Sequence, residues 1–562
     1  MATILAAILA ARAFKVNGKG VSPLPSPKAI GSALVALALT ALAIAAAWWW
    51  LGAPVTLPSS ALLAGDKLYC VSYAPFRDAQ NPLVEGTRVG DWQIDEDLAI
   101  LSKYTKCIRT YSVDDVHDVA LEDARKYGLK VLYGIWIGHD AAKNRQQIAA
   151  AIALGKAYPD VISAIVVGNE VLLRGEMTAG DLAALIREVK ANVPEPVTYA
   201  DVWEFWLRYP EVQNAVDFVT VHILPYWEDF PIPAQFAAAH VAAIRQKVVA
   251  AFPGKEIVIG EFGWPSAGRQ REGARPSPSN QARAILETLA LAQRENFRVN
   301  VIEGFDQPWK RGLEGAAGGY WGIIDRATNE PKFSFAGTVS DHPHWLFQAA
   351  AGIVLTVLAF GAAVIAGRKK GISTTLGAKI AVLTFLPAVM FGWTVETVLS
   401  ESFSPASWLR SLAFAVTAAA APIVCAAACG AGRGVPSLAS LFGRTGARRD
   451  PIDWALGATI VALILLSVEA ALGLVFDPRY RDMPFAPLIA GVWPFLVVAA
   501  LAPRQAGKRA MAETVAAGVL ALSAVYIVFN ESFANWQAVW FCGGLIAFAV
   551  MLARARDVPS SE

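Results

Sequence analysis

VISAIVVGNE (161–170) and EIVIGEFGWPS (256–266) are the two stretches on which the fold turns. Each is a run of Val and Ile, residues that fit a pleated, buried surface, and each reaches a glutamate just as the apolar run ends. Uninterrupted apolar runs of this length suit parallel strands buried on both faces. Six more segments of similar character lie around them: KLYCVSY (67–73), KCIRTYS (106–112), KVLYGIW (130–136), PVTYA (196–200), DFVTVHI (217–223) and VNVIEGF (299–305). Amphipathic helical stretches fall between strands, for example 143–157, 178–190, 234–252 and 279–295. Eight strands, each followed by a helix or turn within about 250 residues, predict a (β/α)8 TIM barrel. Functional groups in that fold sit at the C-terminal ends of strands. Glu170 and Glu261 stand at two of those ends, on the fourth and seventh strands.

Outside this region the composition changes. The 562-residue chain is 55% hydrophobic and only 17% charged, against roughly 25% charged in typical soluble proteins, and its mean hydropathy is +0.41. That balance excludes a disordered chain and a coiled coil. With 49 basic against 47 acidic residues there is no surplus of positive charge for nucleic acid. The charges are unevenly spread: 65 lie in residues 52–344, 27 in 345–562, and four, all basic, in 1–51.

A bilayer span takes about 20 apolar residues. One candidate covers 30–51 and closes on Trp48-Trp49-Trp50, residues suited to the lipid–water interface. Its length and those tryptophans mark a retained anchor rather than a cleaved signal. Residues 2–15 ahead of it predict a short helix on the inner leaflet. Seven further spans are expected, at 345–366, 376–399, 408–431, 454–475, 485–502, 510–529 and 534–552. Every second loop is basic: GRKK (367–370), the 432–450 loop with Arg433, Arg444, Arg448 and Arg449, the 503–509 loop with Arg504, Lys508 and Arg509, and the tail with Arg554 and Arg556. The alternate loops are not. Basic loops face the cytoplasm, so eight spans with both termini cytoplasmic are expected. The chain then divides into a cytoplasmic segment 1–29, a transmembrane anchor 30–51, an extracytoplasmic barrel 52–344 and an α-helical transmembrane bundle 345–562 of seven helices with a short cytoplasmic tail. The lipid bilayer is one partner.

Two carboxylates facing each other across a barrel mouth can cleave a glycosidic bond with retention, one as proton donor and one as nucleophile, when roughly 5–5.5 Å apart. Near the other strand ends stand Tyr73, Tyr111, Trp136, Trp203, His222, Tyr226, Trp227, Asp306, Trp309 and Lys310. Aromatic faces beside polar groups suit sugar rings. Trp136 and Trp203 read equally well as rim packing, and His222 as a structural hydrogen-bonder. The six histidines (117, 139, 222, 240, 342 and 344) show no metal-ligand spacing and no phosphate loop is present, so no metal and no cofactor are expected. Cys425, Cys429 and Cys542 fall in predicted spans. Strand alternation puts Cys107 on the side of Arg109 and Tyr111 but Cys70 opposite Tyr73, which predicts two free thiols.

With these residues in view, the region 66–335 resembles glycoside hydrolase family 17, the β-1,3-glucanases and β-1,3-glucan transglycosylases. The matching motifs are VVGNEV (166–171), VIGEFGWPS (258–266), FDQPWK (305–310) and YWGIID (320–325). The resemblance implies that Glu170 is the general acid/base, that Glu261 is the nucleophile and that Asn169 binds the sugar 2-hydroxyl. It implies that Tyr73, Tyr111, Tyr226, Trp264, Trp309 and Lys310 line donor subsites. Asp306, Trp136, Trp203 and Trp227 complete the expected sugar-binding set, with Trp203, Trp206 and Trp227 as candidate acceptor platforms. Plant members usually carry Glu three residues before the Lys matching Lys310, where this chain has Gln307. That departure implies one charge fewer beside the nucleophile.

The resemblance extends to bacterial membrane-bound members linked to β-1,3/1,6-glucan synthesis, including the cyclic glucans of rhizobia. It implies a β-glucan transglycosylase of the bacterial inner membrane with its barrel in the periplasm, beside a membrane glucan synthase. A β-1,3-glucanase with the same two glutamates is the first rival. A non-catalytic glucan-binding or export subunit is the second, and the intact glutamate pair counts against it. In the expected membrane bundle, Glu396, Glu469 and Glu531 lie within or beside apolar spans, where acids are costly and are functional candidates by default. They read either as inter-helix hydrogen bonds or as part of a polar vestibule for a glucan.

Overall fold

The computed structural model describes residues 27–59, 66–116, 118–368, 373–442, 450–501 and 510–554. The expected inner-leaflet helix at 2–15 lies outside these residues, as do His117, Lys369, Lys370, Arg444, Arg448, Arg449, Arg504, Lys508, Arg509 and Arg556. The chain divides into two compact units, one of residues 54–341 and one of 1–53 with 342–562.

The first unit is a closed barrel of eight parallel strands in sequence order. They are β1 (Cys70–Ser72), β2 (Cys107–Arg109), β3 (Lys130–Ile135), β4 (Ile162–Asn169), β5 (Val197–Val202), β6 (Val219–His222), β7 (Ile257–Phe262) and β8 (Val299–Val301). Helices such as Ala141–Ala157, Ala179–Lys190, Ala237–Ala251 and Pro278–Glu295 lie between them. Alternation along each strand splits the buried residues into two cores. Val131, Ile165, Val167, Ile257 and Ile259 face the helices in the large outer core. Leu132, Ala164, Val166, Ala200 and Val258 form a second cluster that also contains Cys70 and Cys107. This second cluster is the floor of the barrel's interior.

Two register shifts interrupt that alternation where it matters. On β7, Val221 pairs with Ile259 but the next residue of β6, His222, pairs with Glu261. The extra residue is Gly260, where a Cβ would sit 2.4 Å from Thr220 Cγ2. Without this bulge Glu261 would share the outward side of Ile257 and Ile259; with it, the carboxylate turns inward. On β4, Val166 pairs with Thr198 and Asn169 with Ala200, again one residue too many. Gly168 takes φ +87° there, and a Cβ would meet Val171 Cγ2 at 2.6 Å. Bulges next to active sites commonly re-aim a side chain in this way.

The expectation of two free thiols is wrong: Cys70 and Cys107 form a disulfide, with Cα atoms 4.3 Å apart. They are direct register partners, one residue before the Val71–Ile108 pair. The mistaken premise was that Tyr73 points into the barrel. Tyr73 instead sends its hydroxyl to Asp97 on the helix Asp91–Leu101, on the outer side of the wall, so Cys70 and Ser72 are the inward residues of β1. Cys425, Cys429 and Cys542 remain free. Alkylation in denaturant should therefore add three labels before reduction and five after it, read by intact mass. With a sequence separation of 37 between the cysteines, the Cys70→Ala/Cys107→Ala variant should lose about 4 kcal/mol by the loop-entropy relation.

The second unit is helical. Among the described residues, seven helices are long and apolar enough to cross a membrane: Lys28–Leu51, Trp345–Gly367, Leu376–Glu401, Pro405–Ala431, Pro451–Phe476, Met511–Glu531 and Trp536–Ala553. The span expected at 485–502 is a shorter apolar helix, Phe485–Leu501; at 1.5 Å per residue its 17 residues reach about 26 Å. Small residues let these helices approach closely, as membrane helices do. A Cβ on Gly430 would lie 2.1 Å from Ala363 O, and one on Gly352 would lie 2.4 Å from Ala388 O. The three acids singled out from the sequence have partners. Glu396 pairs with His342 at 2.9 Å, Glu469 with Arg410 at 3.0 Å, and Glu531 accepts from Asn535 at 2.8 Å. Trp48 is buried against His342 and Trp393, while Trp49 and Trp50 are exposed.

Candidate active site

The two bulges bring Asn169 and Glu261 to the same inner surface, and Arg109 on β2 meets both. Its Nη1 donates to Glu261 Oε1 at 2.9 Å and to Gly260 O at 2.8 Å, and its Nη2 donates to Asn169 Oδ1 at 2.5 Å. Tyr111, just past β2, donates to the same Glu261 oxygen at 2.8 Å and accepts from Ser72 Oγ at 2.7 Å. Glu261 Oε1 is thus held by an arginine and a tyrosine, while Oε2 is left open. Glu170 follows the β4 bulge with φ +54°, its amide donating to Ala200 O at 2.8 Å.

His222 stands between the two glutamates. Its Nδ1 lies 2.9 Å from Glu170 Oε1 and its Nε2 lies 3.6 Å from Glu261 Oε1 and 3.3 Å from Arg109 Nη1. In the neutral imidazole, Nε2 accepts from the guanidinium and Nδ1–H donates to Glu170. One atom from each of Glu170, His222 and Glu261 falls within 4.8 Å of the others. That spacing would suit a metal ion, but the Arg109 cation already stands against both Glu261 and His222.

Burial alone would raise the pKa of Glu261. The charge that a protonated His222 would carry, those of Arg109 and Lys310 and the Tyr111 hydrogen bond outweigh it and hold the carboxyl below the ordinary range. The side chain of Glu261 is 6% exposed and that of Glu170 22%, so one is sunk in the floor while the other reaches the opening. Around them lie more carboxylates. Burial pushes Glu303 up to about 7 against the pull of Lys310, whose Nζ donates to both of its oxygens at 2.9 and 3.0 Å. Burial also raises Glu314 to about 6, opposed by Lys310 and reinforced by Glu170 and Glu261. Asp201, under Glu170 on β5, is raised by burial to about 6 and accepts from Tyr199.

Of the residues expected to bind sugar, Asn169, Tyr111 and Lys310 stand beside the glutamates. Trp136, Trp227 and Trp309 are partly exposed near strand ends. Trp136 carries Arg174 over one face at 4.2 Å, and Trp227 lies nearly parallel to Trp321 with Arg271 over its ring. Four expected residues do not line the mouth. Tyr73 points outward to Asp97. Tyr226 is fully buried, with its hydroxyl on Arg269 O, and Trp264 is fully buried, with its indole on Arg275 O. Asp306 is buried and bound to Lys332 Nζ at 2.6 Å and to Gly322 N at 3.0 Å.

One candidate acceptor platform fails: Trp206 packs in the core against Tyr199 and Phe252. Trp203 is half-buried, its indole donating at 3.2 Å to Glu228, which also holds His240. Gln307 was expected to leave a charge missing beside the nucleophile. Its amide instead bonds Ala74 O and takes the Trp309 indole, and the carboxylate beside Lys310 comes from Glu303. Arg109 and Glu303 escaped the sequence reading. The inward parity of Arg109, shared with Tyr111, was the one available signal.

The sequence profile of the BtgE/BtgC glycoside hydrolase domain matches residues 70–322. The barrel is a glycoside hydrolase domain of family 17. A glucan 1,3-beta-glucosidase of Schizosaccharomyces pombe is 29% identical over 231 residues, 38% of this chain and 72% of that protein. A glucan 1,3-beta-glucosidase of Arthroderma benhamiae is 28% identical, covering 43% of this chain and 83% of that one. The crystal structure of a family 17 beta-1,3-glucanosyltransferase from Rhizomucor miehei is 26% identical, covering 47% of this chain and 95% of its own, with a TM-score of 0.41.

In this family 17 domain, Arg109 keeps a buried carboxylate charged. Arg109→Met should let burial dominate and raise the pKa of Glu261 by about 1–3 units. As the nucleophile that the family resemblance implies, Glu261 is needed ionised, so activity should fail at higher pH on the acid side: the acid limb of kcat/KM moves up by that amount and the plateau falls at least about tenfold. A pH–rate profile of both proteins checks this.

Proposed function

We propose that the chain is a membrane-anchored, retaining β-glucan transglycosylase that acts on β-1,3-glucan in the periplasm of a bacterium. The observation that carries this reading is the pair Glu170 and Glu261 at the ends of β4 and β7, with one oxygen of each within 4.8 Å of the other, closer than the roughly 6.5–9.5 Å of inverting pairs. Glu261 Oε2 attacks the anomeric carbon while Glu170 gives its proton to the departing glycosidic oxygen. A glycosyl–Glu261 ester and a shortened chain with a new hydroxyl result. Glu170, now a carboxylate, takes the proton of an acceptor hydroxyl as that oxygen displaces Glu261, forming a β-1,3 or β-1,6 bond. Asn169, pinned by Arg109, is placed to bind the 2-hydroxyl. The names of the relatives, glucan 1,3-beta-glucosidases, support β-1,3-glucan as donor. They equally support hydrolysis, which uses the same two residues with water as acceptor.

Eight spans with both termini cytoplasmic fit the alternation of basic loops, with Phe485–Leu501 as the eighth span. A barrel outside the cytoplasm agrees with the Cys70–Cys107 disulfide, since such bonds persist in oxidising compartments. A glucan-exporting synthase in the same membrane would supply the donor chain.

Incubation of the purified protein with laminari-oligosaccharides should give chains longer than the starting material, read by mass and linkage analysis; only shorter products would favour the hydrolase. Glu261→Gln should abolish turnover. Glu170→Gln should recover part of its activity with an aryl glucoside donor whose leaving group needs no proton. An extracytoplasmic reporter should be active after Ala64 or Ser402 and silent after Lys370 or Arg449. An active fusion after Arg449 overturns the eight-span arrangement.

A further inference from the structure

Glu303 has no part in the reaction as written, yet its carboxylate is buried at the exit of β8, 1% exposed, in two-oxygen contact with Lys310. Lys310 is partly exposed and has three carboxylates in electrostatic reach: Glu303, Glu314 and the nucleophile Glu261. An ammonium on a flexible four-carbon stem can choose among them, unlike the rigid fork of an arginine. The choice has a chemical consequence. Oε1 of Glu261 is taken by Arg109 and Tyr111, so Oε2 is the oxygen left for attack. An ammonium bound directly to Oε2 would cover the lone pair that must reach the anomeric carbon. An ammonium held nearby but tied elsewhere stabilises the same negative charge and leaves the oxygen open. Gln307, three residues before Lys310, cannot do the tying, because its amide is spent on Ala74 O and the Trp309 indole.

We propose that Glu303 is a positioning residue that holds the Lys310 ammonium near Glu261 yet off its attacking oxygen. The proposal rests on Glu261 being the nucleophile. Both oxygens of Glu303 engage the same nitrogen, which fixes the ammonium more firmly than a single contact would.

The test is the rate at which a 2-deoxy-2-fluoro-laminaribiosyl fluoride labels Glu261, followed by intact mass against pH. This donor carries its own leaving group, so Glu170 is not needed. Glu303→Gln keeps the shape but frees the ammonium. Its labelling plateau should fall at least about tenfold, and its acid limb should move to lower pH, because an un-neutralised Lys310 favours ionised Glu261. Adding Lys310→Met should restore much of the plateau and move the limb above that of the wild type. Removing both partners of a buried pair is also gentler on the fold than removing one, and thermal unfolding of each variant tracks that effect separately.

Opposite pH shifts in the single and double variants support the positioning role. A double variant no faster than Glu303→Gln, or limbs that do not move, would overturn it and leave Glu303 as a packing residue. Wild-type protein that takes no label at Glu261 would overturn the proposed reaction itself, and the role of Glu303 with it.

Discussion

A carboxylate inside a barrel must be compensated, and here the compensation is Arg109. The cost of burying an unpaired charge is several kcal/mol even after relaxation, so Glu261 can be sunk in the floor only if a cation is sunk with it. Arg109 is itself 1% exposed and spends its donors on Glu261, on the carbonyl of the bulge at Gly260 and on Asn169. One guanidinium therefore fixes the proposed nucleophile, the backbone kink that presents it and the neighbour of the proposed acid/base. It also stacks over Tyr111 at 4.7 Å, which orients the hydroxyl that gives Glu261 its other hydrogen bond. Removing Arg109 would leave Glu261 with only the Tyr111 hydrogen bond, Gly260 O with only the Asn300 amide, and Asn169 Oδ1 without its guanidinium.

The bulges explain why the site occupies β4 and β7. Strand alternation is strict, and a one-residue slip exchanges the two faces. Both strands insert one residue just before their functional side chain, and both do so at a glycine. Gly260 stands where a side chain would strike Thr220, and Gly168 adopts a left-handed conformation that other residues resist. The sequence GE on β7 and GNE on β4 is thus a mechanical statement: the glycine absorbs the kink and the residue after it turns inward.

Much of this was legible in the chain before any coordinates. The eight strands announced themselves by runs of Val and Ile, and the glutamates by their place at the end of two such runs. Parity was the weak point. On β1 the segment KLYCVSY (67–73) alternates too weakly to fix which side faces inward, and the family resemblance put Tyr73 in the mouth. That single reversal also hid the disulfide, since Cys70 and Cys107 look mismatched only if Tyr73 points in. Tyr226 and Trp264 misled for a related reason: aromatic residues near a barrel mouth serve packing as readily as stacking, and only burial tells them apart. Arg109 and Glu303 could not be found by motif, because their importance lies in what they touch across 152 residues in one case and across a single loop turn in the other.

The three acids singled out in the helical unit each meet a partner: His342 for Glu396, Arg410 for Glu469, Asn535 for Glu531. A charged group in hydrocarbon is costly, and a hydrogen-bonded pair is the least expensive way to keep one, so these acids are accounted for by holding helices together. The barrel mouth is different. Glu170, Glu261, Glu303 and Glu314 crowd around two permanent cations, Arg109 and Lys310, and the surplus shows in Glu303 and Glu314, which burial raises to about 7 and about 6. A fold gains nothing in stability from carboxylates that its cations cannot match. Such a surplus persists where chemistry needs one group charged and another able to carry a proton at the same pH. The cluster at the ends of β4, β7 and β8 has that composition, with Glu261 held ionised while Glu303 and Glu314 are pushed toward protonation.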